Sequence, residues 1–120
     1  MKHLLLIEDD TVLLGLYAKI FTLNGYDIKQ ASDVQTAQAL LEEHRFDAII
    51  SDVHVGLDNA IDLLKQHPNT RNALHTVIVH SGSEQQRTSY VSGGMTFCNK
   101  PIAINEMLDV VAEVANRIPA

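Results

Sequence analysis

At 120 residues, with 46% hydrophobic and 20% charged residues, the chain has the composition of one globular domain over 1–120, neither disordered nor fibrous. A formal net charge of -6 at pH 7 argues against a nucleic-acid-binding surface, where a basic patch is expected. Cys98 stands alone, which rules out an internal disulfide or thiolate cluster and fits a reducing cytoplasm; no apolar run reaches the roughly 20 residues that span a bilayer.

Leu4–Ile7 is a short apolar run that reads as a buried strand and stops at three acids, Glu8, Asp9 and Asp10. It is too short for a signal-peptide core. Thr11–Leu23 follows as a helix, with Leu13, Leu16, Tyr17 and Ile20 at helical spacing, closed by Asn24-Gly25. Asp10 reads as an N-cap or first-turn acid of that helix. Tyr26–Ala31 is a partly polar strand, suited to a sheet edge. Ser32, with Gln35 three residues on, has the pattern of a capping box before a helix whose apolar face is Val34, Ala37, Leu40 and Leu41.

Ala48–Ile50 is the third strand and leads to Asp52. Ile61–Leu64 is the centre of a short helix ending before Pro68. His75–His80 contains the apolar strand Val77-Ile78-Val79, and Glu84–Ser92 is a polar helix that stops at Gly93-Gly94. Met95–Cys98 is the last strand, with Cys98 a small buried hydrophobe. Ile104–Ile118 is the last helix, with Met107, Leu108, Val111 and Ala115 inward.

Strands alternating with helices in this way give an α/β fold, a doubly wound five-stranded parallel sheet covered on both faces. Ligands of such sheets bind beyond the carboxyl ends of the strands, where the winding reverses. Glu8, Asp9, Asp52, Ser81 and Lys100 all follow the carboxyl ends of predicted strands. Acids gathered at one edge repel unless a divalent cation or a lysine lies among them, and Lys100 is a candidate.

These residues resemble a response-regulator receiver domain along essentially the whole chain. The likeness rests on the pair Glu8-Asp9, on Asp52 opening Asp52-Val-His-Val55, on Ser81 in Val79-His-Ser-Gly82, and on Lys100-Pro101. Gly25-Tyr26 and Gly93-Gly94 fit the family's punctuation. The resemblance implies a flavodoxin-like fold with strand order 2-1-3-4-5. It also implies that Asp52 is a carboxylate nucleophile accepting a phosphoryl group, with Mg²⁺ drawing the charged oxygens together. Asp9, Asp52 and the backbone carbonyl of His54 would be direct ligands of the ion, with Glu8 acting mostly through water. Lys100 would neutralise a phosphoryl oxygen, Ser81 would donate a hydrogen bond to another, and Gly82 would offer its backbone N–H.

By the same resemblance the donor is a sensor histidine kinase or a phosphotransfer protein, and the output partner or domain is undetermined. The domain would catalyse its own phosphoryl transfer and dephosphorylation while serving as a switch. Ser81 and Phe97 would carry the switch. Phe97 replaces the commoner tyrosine and has no hydroxyl to re-bond, so packing alone would read it out. Leu14 and Phe21, beside Tyr17 on the first helix, are either an apolar contact for the donor or wider burial against the last helix.

Some positions depart from the family. The loop after Asp52 has Gly56 where a proline is usual and Asn59-Ala60 where an Asp-Gly turn is usual. A degenerate receiver that only binds partners is therefore an alternative. His54 and His80 are scattered, which favours surface or packing roles over a zinc site. A haloacid-dehalogenase-type phosphatase would need an aspartate where Glu8 stands. A cobalamin module would need the glycine of Asp52-Val-His54-Val-Gly56 one residue later.

Overall fold

The computed structural model describes residues 1–55, 58–59, 75–79, 95–99 and 103–116, and of residues 54, 58 and 59 the backbone alone. Five strands form a parallel sheet: β1 (His3–Ile7), β2 (Asp27–Ala31), β3 (Ala48–Ser51), β6 (Thr76–Val79) and β7 (Thr96–Cys98). Their spatial order is β2-β1-β3-β6-β7, which among sheet strands alone is the expected 2-1-3-4-5. Two two-residue strands, β4 (His54–Val55) and β5 (Asp58–Asn59), form a separate antiparallel hairpin. The described helices are α1 (Thr11–Leu23), α2 (Val34–Glu43) and α3 (Ile104–Ala115). The expected helices at 61–64 and 84–92 lie outside the described residues.

Period-two alternation along the central strands divides the apolar side chains between two cores. Leu4, Leu6, Ile50, Val77 and Val79 face one way and pack with residues of α1 and α3. Leu5, Ile7, Ile49, Ile78 and Phe97 face the other way, with Ala37 and Leu41 of α2. β1, β3 and β6 are nearly solid apolar runs because they are covered on both faces. β2, at the edge of the sheet, exposes Lys29 and Gln30.

α1 begins where Asp10 accepts backbone N–H bonds from Val12 and Leu13, both at 3.1 Å, which makes Asp10 its N-cap. It ends in a Schellman motif at the Asn24-Gly25 pair. Gly25 has φ of 90°, its N–H donates to Thr22, and the Tyr26 N–H reaches back to Phe21. The rings of Phe21 and Tyr26 meet edge to face at 5.7 Å, the apolar contact that accompanies this motif.

The inward face of α1 differs from the expected one. Leu14, Ala18 and Phe21 are buried, whereas Leu16 is 49% exposed and Leu13, Tyr17 and Ile20 flank the stripe half-buried. The buried stripe runs through Ala18, a small residue that size-weighted patterning passes over. Leu14 and Phe21 are accordingly core residues and not a docking patch; full burial of Phe21 contributes about 1.5–3 kcal/mol. A second correction concerns α2. Its N-cap is Asp33, whose carboxylate accepts the Thr36 N–H at 2.7 Å, and not Ser32. Asp33 is the residue three before the N–H that needs an acceptor, and a carboxylate accepts it more strongly than a hydroxyl.

Candidate functional site at the carboxyl edge of the sheet

Register brings the two strand-end acids together. Ile7 pairs with both Ala31 and Ser51, so the next residues along, Glu8 and Asp52, stand side by side at the carboxyl edge. The Glu8 N–H donates to Ala31 at 3.0 Å and the Asp52 N–H to Ile7 at 3.4 Å, continuing the ladder one step past the strands. By alternation Glu8 follows Leu6 and Asp52 follows Ile50, so both acids lie on the α1 side of the sheet. This is where the winding reverses, with β2 on one side of β1 and β3 on the other.

Glu8 and Asp52 line one cleft, whose other walls are Leu6, Ile7, Tyr17, Ile50, Ser51 and Val79. Glu8 is only 7% exposed and Asp52 is half-buried. Backbone donors hold both carboxylates. The Asp10 N–H reaches Glu8 Oε1 at 3.3 Å, and the Val53 N–H reaches Asp52 Oδ1 at 2.7 Å. The Ser51 hydroxyl donates to the carbonyl oxygen of Asp52 at 2.6 Å, fixing the chain where the strand ends. Two carboxylates set against apolar walls favour positive charge between them.

Asp9 is exposed and does not line this cleft. Phe97 is buried, with its ring in the core on the α2 side. Cys98 is buried and not in a disulfide. Ser81, Gly82 and Lys100 lie outside the described residues. Val79 pairs with Cys98 at the ends of β6 and β7, and Ser81 and Lys100 each follow in sequence by two residues.

Sequence reasoning missed the β4–β5 hairpin, which occupies the loop after Asp52. Two residues separate Val55 from its partner Asp58, so Val55/Asp58 is the hydrogen-bonded pair that closes the hairpin. The His54/Asn59 pair is then the open kind, and the His54 carbonyl is directed away from β5. The signal was present in Gly56, a residue suited to a tight hairpin, but strands of two residues leave no periodicity to read.

Among the described residues, the cleft is lined by carboxylate, hydroxyl and apolar side chains, with no thiolate or imidazole. Among the described residues no group of three or more His, Cys, Asp and Glu side chains is arranged to hold a metal ion. A hard cation fits such a donor set. It can take one or two carboxylates and a backbone carbonyl and keep its waters, as Mg²⁺ does.

Comparison with known proteins agrees with the fold. Residues 4–112 match the family model described as the response regulator receiver domain. The chain belongs to that family. It is 27% identical over 107 residues to the alginate biosynthesis transcriptional regulatory protein AlgB of Pseudomonas aeruginosa, covering 88% of this chain and 24% of that protein. It is 27% identical over 118 residues to the transcriptional regulatory protein CpxR of Klebsiella pneumoniae, covering 98% of this chain and 50% of the relative. The receiver domain thus spans half or less of these relatives' length. Among solved structures, a Francisella response regulator receiver domain superposes with a TM-score of 0.87 at 23% identity, covering 98% of both chains. The chemotaxis protein CheY4 of Vibrio cholerae gives 0.83 at 20% identity, covering 95% of this chain and 98% of that one. These structural likenesses bear on the fold.

Proposed function

We propose that this receiver domain accepts a phosphoryl group on Asp52 and thereby switches a partner-binding face. The observation that carries this reading is the register that sets Glu8 beside Asp52 in one cleft at the reversal of winding. Receiver domains in general partner with histidine kinases or phosphotransfer proteins and with output domains, and they use Mg²⁺. Mg²⁺, when bound, supplies charge neutralisation between carboxylate and phosphoryl oxygens. Asp9, Asp52 and the carbonyl of His54 are the direct ligands in this reading, with Glu8 acting through water. The direction of the His54 carbonyl, away from β5, supports its part in the set.

A carboxylate oxygen of Asp52 attacks phosphorus while the bond to the donor's imidazole nitrogen breaks; that nitrogen takes the electron pair, and with the other ring nitrogen protonated the donor leaves as neutral histidine. Lys100 pairs with a phosphoryl oxygen, Ser81 donates to another, and the Gly82 N–H approaches the group without side-chain hindrance. Positioning and charge neutralisation do the catalysis. Ser81 and Phe97 transmit the change as an altered packing of the face from β6 to α3. Phe97 supports this through its place in the core, where a shift in its ring disturbs neighbouring packing. The partners are a sensor histidine kinase or phosphotransfer protein and an output protein or domain, without direct contact to nucleic acid or membrane. The location is cytoplasmic. No described helix is long and apolar enough to cross a membrane.

Incubation with acetyl phosphate and Mg²⁺ followed by intact mass tests the reading. A phosphoryl adduct is expected on the native chain and is lost in Asp52→Asn. No adduct with any donor would instead leave a receiver that works by binding alone.

A further inference from the structure

Ser51 places a hydroxyl in an apolar row. It closes β3 after Ala48, Ile49 and Ile50, is 1% exposed, and pairs in register with Ile7 of β1 and Ile78 of β6. An alanine would fill that row without taking a polar group out of water, and a buried hydroxyl is stable only with a partner. The partner is the carbonyl oxygen of Asp52, which accepts the Ser51 hydroxyl at 2.6 Å. That carbonyl shares one peptide unit with the Val53 N–H, and the Val53 N–H donates to Asp52 Oδ1 at 2.7 Å. A peptide unit is planar, with its C=O and N–H pointing opposite ways, so fixing one end fixes the other. The hydroxyl therefore sets the direction of the donor that holds the carboxylate. It also strengthens that donor, because a hydrogen bond accepted by the carbonyl polarises the amide toward giving its proton.

We propose that Ser51 is a positioning residue for phosphoryl acceptance: its hydroxyl, acting through the peptide between Asp52 and Val53, holds the Asp52 carboxylate in its attacking direction. The proposal rests on the reading of Asp52 as the phosphoryl acceptor. Ser51 exchanges no proton in the transfer. Its contribution is the pose of the nucleophile, to which the rate of a positioned reaction is sensitive.

The test compares the native chain with Ser51→Ala and Ser51→Thr in two measurements. One is the initial rate of adduct formation with acetyl phosphate and Mg²⁺, followed by intact mass. The other is the amide proton shift of Val53 in isotope-labelled protein without Mg²⁺. Ser51→Ala is expected to form the adduct about three- to tenfold more slowly, the range for one net hydrogen bond. Its Val53 amide proton should move upfield as the short bond to the carboxylate lengthens. Ser51→Thr keeps the hydroxyl and should restore both values. The Val53 amide of Ser51→Ala decides even where the added methyl of Ser51→Thr prevents folding. A hydroxyl that only satisfies its own burial would alter the unfolding midpoint of Ser51→Ala and leave rate and amide shift native. Either readout unchanged in Ser51→Ala, or a folded Ser51→Thr that behaves like it, overturns the proposal while the receiver reading stands on the native adduct. A native chain that forms no adduct overturns the receiver reading and the role of Ser51 with it.

Discussion

The two ends of the parallel sheet use the same residue types in opposite ways. At the amino end acids are matched within the chain. His3 Nδ1 lies 2.9 Å from Asp27, and the Asp47 carboxylate accepts the His3 N–H at 2.7 Å. The Asp47 N–H returns a bond to the His3 carbonyl at 2.7 Å, and buried His75 holds the Asp47 carbonyl through Nδ1 at 2.7 Å. A carbonyl only accepts, so Nδ1 of His75 has the proton. At the carboxyl end, Glu8 and Asp52 are placed beside each other by register. The first arrangement holds strands together. The second gathers two acids at the edge where the proposed function places the phosphoryl group.

This contrast gives opposite signs for removing a group at each end. His75→Ala should lose about 2 kcal/mol in urea unfolding, because the Asp47 carbonyl loses its buried donor, and should leave adduct formation on Asp52 intact. A variant as stable as the native chain would break the contrast at the amino end. Asp52→Asn should gain on the order of 1 kcal/mol in Mg²⁺-free buffer, the scale of two unit charges about 4 Å apart in a water-like dielectric. The gain should shrink as Mg²⁺ is added, and a loss of stability in chelator would break the contrast at the carboxyl end.

The smallest expected effect separates two kinds of acid within the carboxyl edge. Asp33 lies there as a cap, and the Thr36 backbone N–H, helped by its hydroxyl, holds the Asp33 carboxyl below the usual aspartate range. A carboxyl with a depressed folded pKa contributes stability above its unfolded pKa and loses it as pH falls through the folded value. Because Asp33 is fully exposed, solvent screens this contribution. Asp33→Asn keeps the cap and should match the native chain at neutral pH, then lose less stability on acidification below the aspartate range. Parallel acid profiles for the two proteins would show that Asp33 caps by geometry alone.

Most of the scaffold was legible because it is written in local chemistry. The apolar run Leu4–Ile7, Asp10 before the first helix and Asn24-Gly25 after it each determine their own neighbourhood, and α1 has the expected bounds Thr11–Leu23. Legibility failed where the deciding contact was distant or the element too short. The choice between Leu14 and Leu16 as the inward residue depends on which face of α1 packs against the sheet. The hairpin after Asp52 depends on two paired residues. Glu8 and Asp52 were readable as strand-ending acids, but their adjacency was not, since they are 44 residues apart.

By itself the sequence determined the fold class and the family, because strand runs, caps and strand-end acids are local and ordered along the chain. Only the tertiary structure decided that Glu8 shares a cleft with Asp52 while Asp9 lies exposed outside it, and that Tyr17 forms part of its wall. The physical reason is register. In a parallel sheet one step of pairing places each strand-end side chain on one face or the other, and that step is set by the packing of both cores together.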